Sequence, residues 1–441
     1  MISKFLASAG ARRLARACTV AVLAIGAASC DLDLENPNAP TEDEIVSSRD
    51  GIIAVAVGMQ GQFAQSIDDW VVTNSLVTDE WGTRAVALLS YISLFTGANF
   101  EESYDVVLQP YARTYQVVNS ANIVLEGVQN LTLGVGLEAG LSALANLFKA
   151  MSLGFAYQQY EELALDVNAD GAPTVPRAQV LDSVLVLLER ARAAYASVAV
   201  ADLAEFNSRV LGPGVNLPNT IDAMLARYYL FDAQYAEAIT AADRVNQAVL
   251  SELRYPAPTV NPVRNLAFGL NYVGGLLNGF ARRAQPGDAR VPYFVDTLAG
   301  TQAANPPDTL LKPLRKFSGV NEPFPLYFPD EMKLIKAEAL TRLGGAANFA
   351  AAAALVNEVR TDNVAQVDEP TAALAALPLT ALDTMEELLD EIAYQRRYEL
   401  YEQGLRWEDT RRLGTARTTV PTFEFLPLPR QECVTNPVAC G

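Results

Sequence analysis

Apolar residues recur at helical steps along most of the chain. Over residues 42–66, Ile52, Val55, Met59 and Phe63 fall three or four apart. Over 108–128, Tyr111, Tyr115, Val118, Asn122 and Leu125 share one stripe. The strongest pattern lies at 137–160, where Leu137, Leu141, Leu144, Phe148, Met151 and Phe155 alternate steps of four and three. Residues 178–197 repeat it with Leu181, Leu185, Leu188 and Tyr195. Each stripe predicts a helix with one face against partner helices.

Two later stretches mix small and aromatic residues. Residues 221–249 carry Ala226, Tyr229, Tyr235 and Ala238, and 331–360 carry Ala337, Phe349 and Ala352. Ala226 and Ala337 are each followed seven residues on by a small turn residue, Ala233 and Gly344. Each stretch resembles a tetratricopeptide helix pair, in which alanines let two helices approach closely. The two are not tandem. Between them, residues 251–330 hold 11 of the 24 prolines, which argues against long helices there. The expectation is an all-α scaffold carrying a loop-rich insertion.

Residues 391–414 read EIAYQRRYELYEQGLRWEDTRRLG. Ile392, Ala393, Leu400 and Tyr401 are spaced for a helix, and Gly404 is placed to close it and let a second begin. Trp407 then lies on the second helix, with Gly414 past its end. Arg396/Glu399, Glu402/Arg406 and Arg406/Asp409 are three or four apart, so spacing alone reads as a solvated helical hairpin with local ion pairs. The string also resembles the C-terminal signature of the SusD/RagB-like family of outer-membrane nutrient-binding lipoproteins, close to E-R-x-x-E-L-x-x-E-G-x-R-W-x-D-L-R-R. Arg396, Glu399, Leu400, Gly404, Arg406, Trp407, Asp409, Arg411 and Arg412 stand in matching places; Gln395 and Thr410 depart from it. The resemblance implies that this stretch is core, not a ligand site. Further elements match in order: Asn36-Pro37-Asn38-Ala39-Pro40-Thr41, then Tyr111, Tyr115, Ala121 and Asn122, then Asp288, Arg290 and Phe294, then Phe425 to Pro429, then Asn436-Pro437.

Charge changes the list of partners. The net charge is −18. Residues 1–29 contain Lys4, Arg12, Arg13 and Arg16 and no acid, so a chain without them sits four charges lower, near −22. Such a surface disfavours nucleic acid and anionic membranes. Histidine is absent, which removes histidine-based triads, bases and metal ligands. Residues 1–29 have a basic front, an apolar run from Thr19 to Ala28 and small residues before Cys30. This reads as an export signal, and Ala27-Ala28-Ser29-Cys30 resembles a lipobox, with Ala27 where leucine is usual. Lipidation at Cys30 would anchor residues 30–441 through more than one acyl chain; the alternative is ordinary cleavage beside an incidental cysteine. Cys433 and Cys440 remain as a pair, predicting a disulfide that closes a short terminal loop; the alternative is two free thiols.

Sugar recognition needs aromatic faces and planar polar groups. Trp70, Asn74, Asp79, Trp81, Arg84 and Tyr91 form the densest such set near the N-terminus, and Asn271, Tyr272 and Arg290 are candidates from the insertion. The competing reading of each aromatic is packing. Asp166, Asn168, Asp170 and Gly171 resemble part of a calcium loop, but Arg177 stands where a bidentate acid is needed, so a polar turn fits better. No cofactor and no metal is expected. The family resemblance implies capture of an oligosaccharide or peptide and a SusC-like TonB-dependent transporter as partner, at the outer-membrane surface. Two rival classes remain: a glycosidase with paired carboxylates, and a helical scaffold that binds another protein.

Overall fold

The computed structural model describes residues 46–167, 171–363, 370–414, 424–436 and 438–439. The export signal, Cys30, Asn36 to Thr41, Asn168, Asp170, Pro437 and Cys440 lie outside them. Helices dominate. Helix α1 (Arg49–Val77) starts on Ser48, whose hydroxyl accepts from the Gly51 amide. It runs 11 residues beyond the expected end at 66, because Ile67, Trp70, Val71 and Leu76 continue the buried stripe. Helices α2 (Leu89–Thr96), α3 (Asp105–Asn130), α4 (Val135–Tyr157) and α5 (Arg177–Ala196) follow. Helix α4 is long and apolar enough to cross a membrane, yet it is the core helix, enclosed by α1, α3 and α5. All six residues of its expected stripe are buried.

After the short α6 (Ala204–Arg209), α7 (Leu217–Phe231) and α8 (Tyr235–Arg244) make one helix pair, and α9 (Pro329–Leu343) and α10 (Ala346–Thr361) make another. Ala226, Ala238, Ala337 and Ala352 are fully buried between helices, as their spacing required. Ala233 and Gly344 hold left-handed backbones at the two turns. The pairs stack in order: α5 on α7, α8 on α9, and α9 on α11 (Met385–Glu399). Helix α4 also passes close to α7: a Cβ on Gly154 would lie 2.2 Å from the Tyr228 hydroxyl and 2.3 Å from its ring.

Between α8 and α9 the chain is mostly loop. Its longest helical turns span five residues, and its strands are short. β1 (Trp81–Thr83), just after α1, pairs antiparallel with β5 (Val273–Leu276), and β5 pairs with β6 (Leu311–Lys312). β2 (Glu162–Ala164) pairs with β3 (Thr174–Pro176), and β4 (Glu252–Leu253) with β7 (Phe324–Pro325). Trp81 faces Gly275, so the first sheet ties the segment after α1 to the loop region.

Helices α11 and α12 (Arg406–Leu413) form the charged hairpin, with Gly404 left-handed between them and Gly414 left-handed at the end. The solvated reading is overturned here, since Arg396, Glu399, Glu402, Arg406, Trp407 and Asp409 are all buried. Their partners are not the three- and four-residue neighbours that spacing offered. Arg396 reaches Asp409 at 2.9 Å, Glu399 accepts from Arg290 at 3.2 Å, and Glu402 accepts from the Trp81 indole at 3.1 Å. Arg412 grips Glu338 of α9 with two bonds of 2.8 Å. A short α13 (Arg430–Thr435) is the last helix of the described residues, and Cys433 on it is disulfide-bonded.

Candidate functional site

The nine candidate residues divide sharply by burial. Trp70, Asn74, Asp79, Trp81 and Arg290 are at most 1% exposed and have structural roles. Trp70 stacks on Phe155 at 4.4 Å with nearly parallel rings. Asn74 accepts from the Trp407 amide at 3.2 Å, serving the start of α12, where backbone amides lack partners. Asp79 holds a left-handed turn between α1 and β1. Trp81 is spent on Glu402, and Arg290 is clamped by Asp288 and Glu399. A ligand cannot touch these groups without opening the core, and removing a buried polar side chain from its partners is costly. The polar–aromatic density that marked them as a site reflects a helix end packed under the charged hairpin.

Arg84, Tyr91, Asn271 and Tyr272 remain at the surface, and the fold gathers them. The Arg84 amide donates to the Tyr272 carbonyl at 2.7 Å, and its Nε donates to the Val273 carbonyl at 2.9 Å. These bonds extend the β1–β5 ladder by one step. The Tyr91 and Tyr272 rings then meet at 5.7 Å, tilted by 51°. Asn271, exposed and left-handed, precedes Tyr272 at the corner. Among the described residues, no hydrogen bond uses the Arg84 Nη atoms. The surround is apolar: Val86, Leu88, Leu89 and Leu270 are 47–63% exposed.

On its other side Tyr91 lines a small acidic cleft of about 40 Å³ with Asp68, Asp69, Thr73, Asp105 and Gln109. Arg113 holds Asp68 at 2.9 Å and Asp69 at 3.0 Å. Burial pushes both carboxyls above their usual range, and the charge of Asp68 pushes Asp69 further. Sequence reasoning missed this cleft. Its one legible signal was the Asp68-Asp69 pair directly before Trp70. The arrangement is a platform: two aromatic faces, an arginine and an amide at one edge, and carboxyls at the other. It offers stacking and hydrogen bonds.

The larger concavities lie elsewhere. One of about 360 Å³ runs between α3 and α13, lined by Tyr111, Tyr115, Asp166 and Glu432 among others. Asp166 is held there by Lys149 at 3.2 Å and by Asn122. Among the described residues, no group of three acids or cysteines is placed to hold a metal ion.

Comparison with known proteins gives a consistent picture. The model of the SusD family matches residues 318–430, which include the charged hairpin. No curated protein matches the chain. Many solved structures do. A SusD superfamily protein from Bacteroides fragilis is 16% identical, with a TM-score of 0.67 over 90% of this chain and 100% of that one. One from Bacteroides vulgatus is 16% identical, with 0.66 over 91% and 98%. NanU of B. fragilis is 14% identical, with 0.67 over 91% and 98%. At these identities the likeness is one of fold.

Proposed function

From a chain that is SusD/RagB-like in its helical fold and in residues 318–430, we propose a nutrient-binding protein that captures its ligand on the Tyr91–Tyr272 platform. The chain is tethered to the outer membrane by acyl groups on Cys30 and faces the cell exterior. It passes its ligand to a SusC-like TonB-dependent barrel. The work is binding, not covalent chemistry, so no catalytic residue is assigned. The ligand is an oligosaccharide or a peptide: either presents flat apolar faces for the tyrosines and polar edges for Arg84 and Asn271. The observation that carries this reading is the half-buried tyrosine pair, built from two chain segments nearly two hundred residues apart and fixed by backbone bonds.

Tyr272→Ala tests it. An aromatic stacked on a ligand contributes about 1–2 kcal/mol, so affinity is expected to fall roughly tenfold, read at a temperature where the variant is fully folded, because Tyr272 is half-buried and its loss also removes packing on Tyr91. Calorimetric titration with glycans and peptides that bind the parent chain reads this directly. Equal affinity in parent and variant removes the platform from the site. Purification from the native envelope with an affinity tag tests the partner: recovery of the chain without any barrel transporter contradicts the delivery role.

A further inference from the structure

The hollow of about 360 Å³ between α3 and α13 shares no residue with the tyrosine platform. Its floor is one stripe of α3. Leu108, Ala112 and Tyr115 stand four and three residues apart, and each is only half-buried. The neighbouring stripe, through Val107, Tyr111, Thr114 and Val118, is the one that packs into the core. The opposite wall is α13 and the residue after it, which contribute Glu432, Thr435 and Asn436.

Contacts at both ends of α13 fix this wall. The Arg430 amide donates to the Glu102 carbonyl at 3.2 Å, and the Asn436 Nδ2 donates to the Ala172 carbonyl at 2.8 Å. Cys433, between them, is disulfide-bonded. The hollow is therefore set by the fold. It is reached from solvent past Asp166, Val167, Gln431 and Thr435, all exposed.

Its charge is one-sided. Two acids line it, and no lysine or arginine does. Asp166 is answered by Lys149 of α4 at 3.2 Å. Glu432 is not answered in this way. Among the described residues no lysine or arginine lies within ion-pair distance of it, and its Oε1 accepts from the neutral Asn436 Nδ2 at 2.7 Å. Burial, and after it the charges of Glu432 and Glu162, hold the nearby Tyr111 hydroxyl above its usual range, so the charges bearing on that ring are negative. A half-buried carboxylate with a neutral donor suits a cation, and the apolar floor beside it suits the body that carries the cation.

We propose that this hollow is a second binding site, for a small ligand that carries a protonated amine. The amine pairs with Glu432, and the apolar face of the ligand lies on Leu108, Ala112 and Tyr115. The volume is at the small end for ligand pockets and admits one sugar ring or one amino-acid side chain. The amine comes either from an amino sugar or from a peptide, through its amino terminus or a lysine.

Calorimetric titration of the purified chain at about pH 6.5, where such amines are charged, separates these sources. The probes are glucosamine, lysinamide and the N-acetylated form of each. Saturable binding of at least one free amine, and none of its acetylated form, is expected. Glucosamine alone assigns an amino sugar, lysinamide alone a peptide, and both together the amine itself as the recognised group. Glu432→Gln keeps an acceptor for Asn436 and removes the charge, so it is expected to weaken binding at least about tenfold with the fold retained. Ala112→Phe fills the floor without touching Glu432 and is expected to abolish binding. Tyr272→Ala is expected to leave amine binding unchanged, which separates this site from the platform. No saturable binding of either amine, equal binding of free and acetylated forms, or binding untouched by Glu432→Gln and Ala112→Phe would overturn the assignment.

Discussion

Arg290→Ala is expected to cost about 3–5 kcal/mol of stability, the range for breaking a buried ion pair from one side. The side chain is fully enclosed. Its Nε and Nη2 donate to the two Asp288 oxygens at 3.0 and 2.8 Å, and its Nη1 donates to Glu399 at 3.2 Å and to the Gln395 carbonyl at 3.4 Å. One guanidinium thus joins the loop region to helix α11. Alanine leaves two carboxylates buried with their principal cation gone, and it opens a cavity. Urea unfolding followed by tryptophan fluorescence should show a lower midpoint with an unchanged slope, since Trp70, Trp81 and Trp407 all lie inside. Asp288→Asn and Glu399→Gln added to Arg290→Met should recover much of the loss, because the stranded charges are then gone. Arg209→Ala is the control. Its bonds to Asp50 and Glu205 are exposed, so it should change stability by less than about 0.5 kcal/mol. An Arg290→Ala loss no larger than that of the control would mean that the clamp is incidental.

This clamp also marks how far the sequence could be read. The helical stripes were legible because burial repeats with the helix period. Leu137 to Phe155 on α4 and the paired alanines of α7–α10 landed where spacing put them. The turns at Ala233 and Gly344 were legible from the matching spacing of small residues, and that at Gly404 because glycine accepts the left-handed backbone that closes a helix. The charged hairpin misled when read by spacing alone. Alternating acids and arginines look like a wet surface, and nothing local reveals that Arg290, Asn74 and Trp81 arrive from over a hundred residues away to bury them. Family resemblance placed that stretch in the core, and burial agrees.

The candidate site was half legible for a related reason. Residue type picked out aromatics with polar neighbours but could not tell that the last two turns of α1 are enclosed all round. Trp70 and Asn74 lie in the stretch from Trp70 to Val77, every residue of which is buried. Arg84, Tyr91, Asn271 and Tyr272 are brought together by the β1–β5 pairing, whose strands carry Gly82, Gly274 and Gly275 and almost no strand signal. Those glycines are there for room: a Cβ on Gly275 would meet Val295 at 2.9 Å. The sheet that builds the platform is therefore nearly silent to pattern reading.

Beneath the platform, Glu80 is expected to make the protein less stable as pH rises through neutrality. Glu80 sits at the end of α1, fully buried beside Glu402. Its Oε2 accepts from the Ser75 hydroxyl at 2.9 Å, its Oε1 has no partner, and its carbonyl accepts from the Tyr401 hydroxyl at 3.1 Å. Burial raises its pKa from the usual 4.5 to about 7, against the opposing pull of Ser75, Arg406, Arg397 and the Glu402 backbone. Burial and the charge of Glu80 push Glu402 up as well. The sign follows from proton counting. Between these two values the native state keeps a proton that the unfolded chain has released. Stability from this group is therefore complete below about 4.5 and is lost as pH rises through about 7. At 1.36 kcal/mol per unit, the full effect is about 3 kcal/mol. Glu80→Gln keeps the shape and stays neutral, so its stability curve should be flatter between pH 5 and 8. The gap between variant and parent should widen in favour of the variant as pH rises, and the contributions of acids other than the coupled Glu402 cancel in that difference. Urea midpoints measured at intervals of half a pH unit suffice. Parallel curves for the two proteins would show that Glu80 is already ionised in the folded state, with Arg397 and Arg406 supplying more compensation than its burial removes.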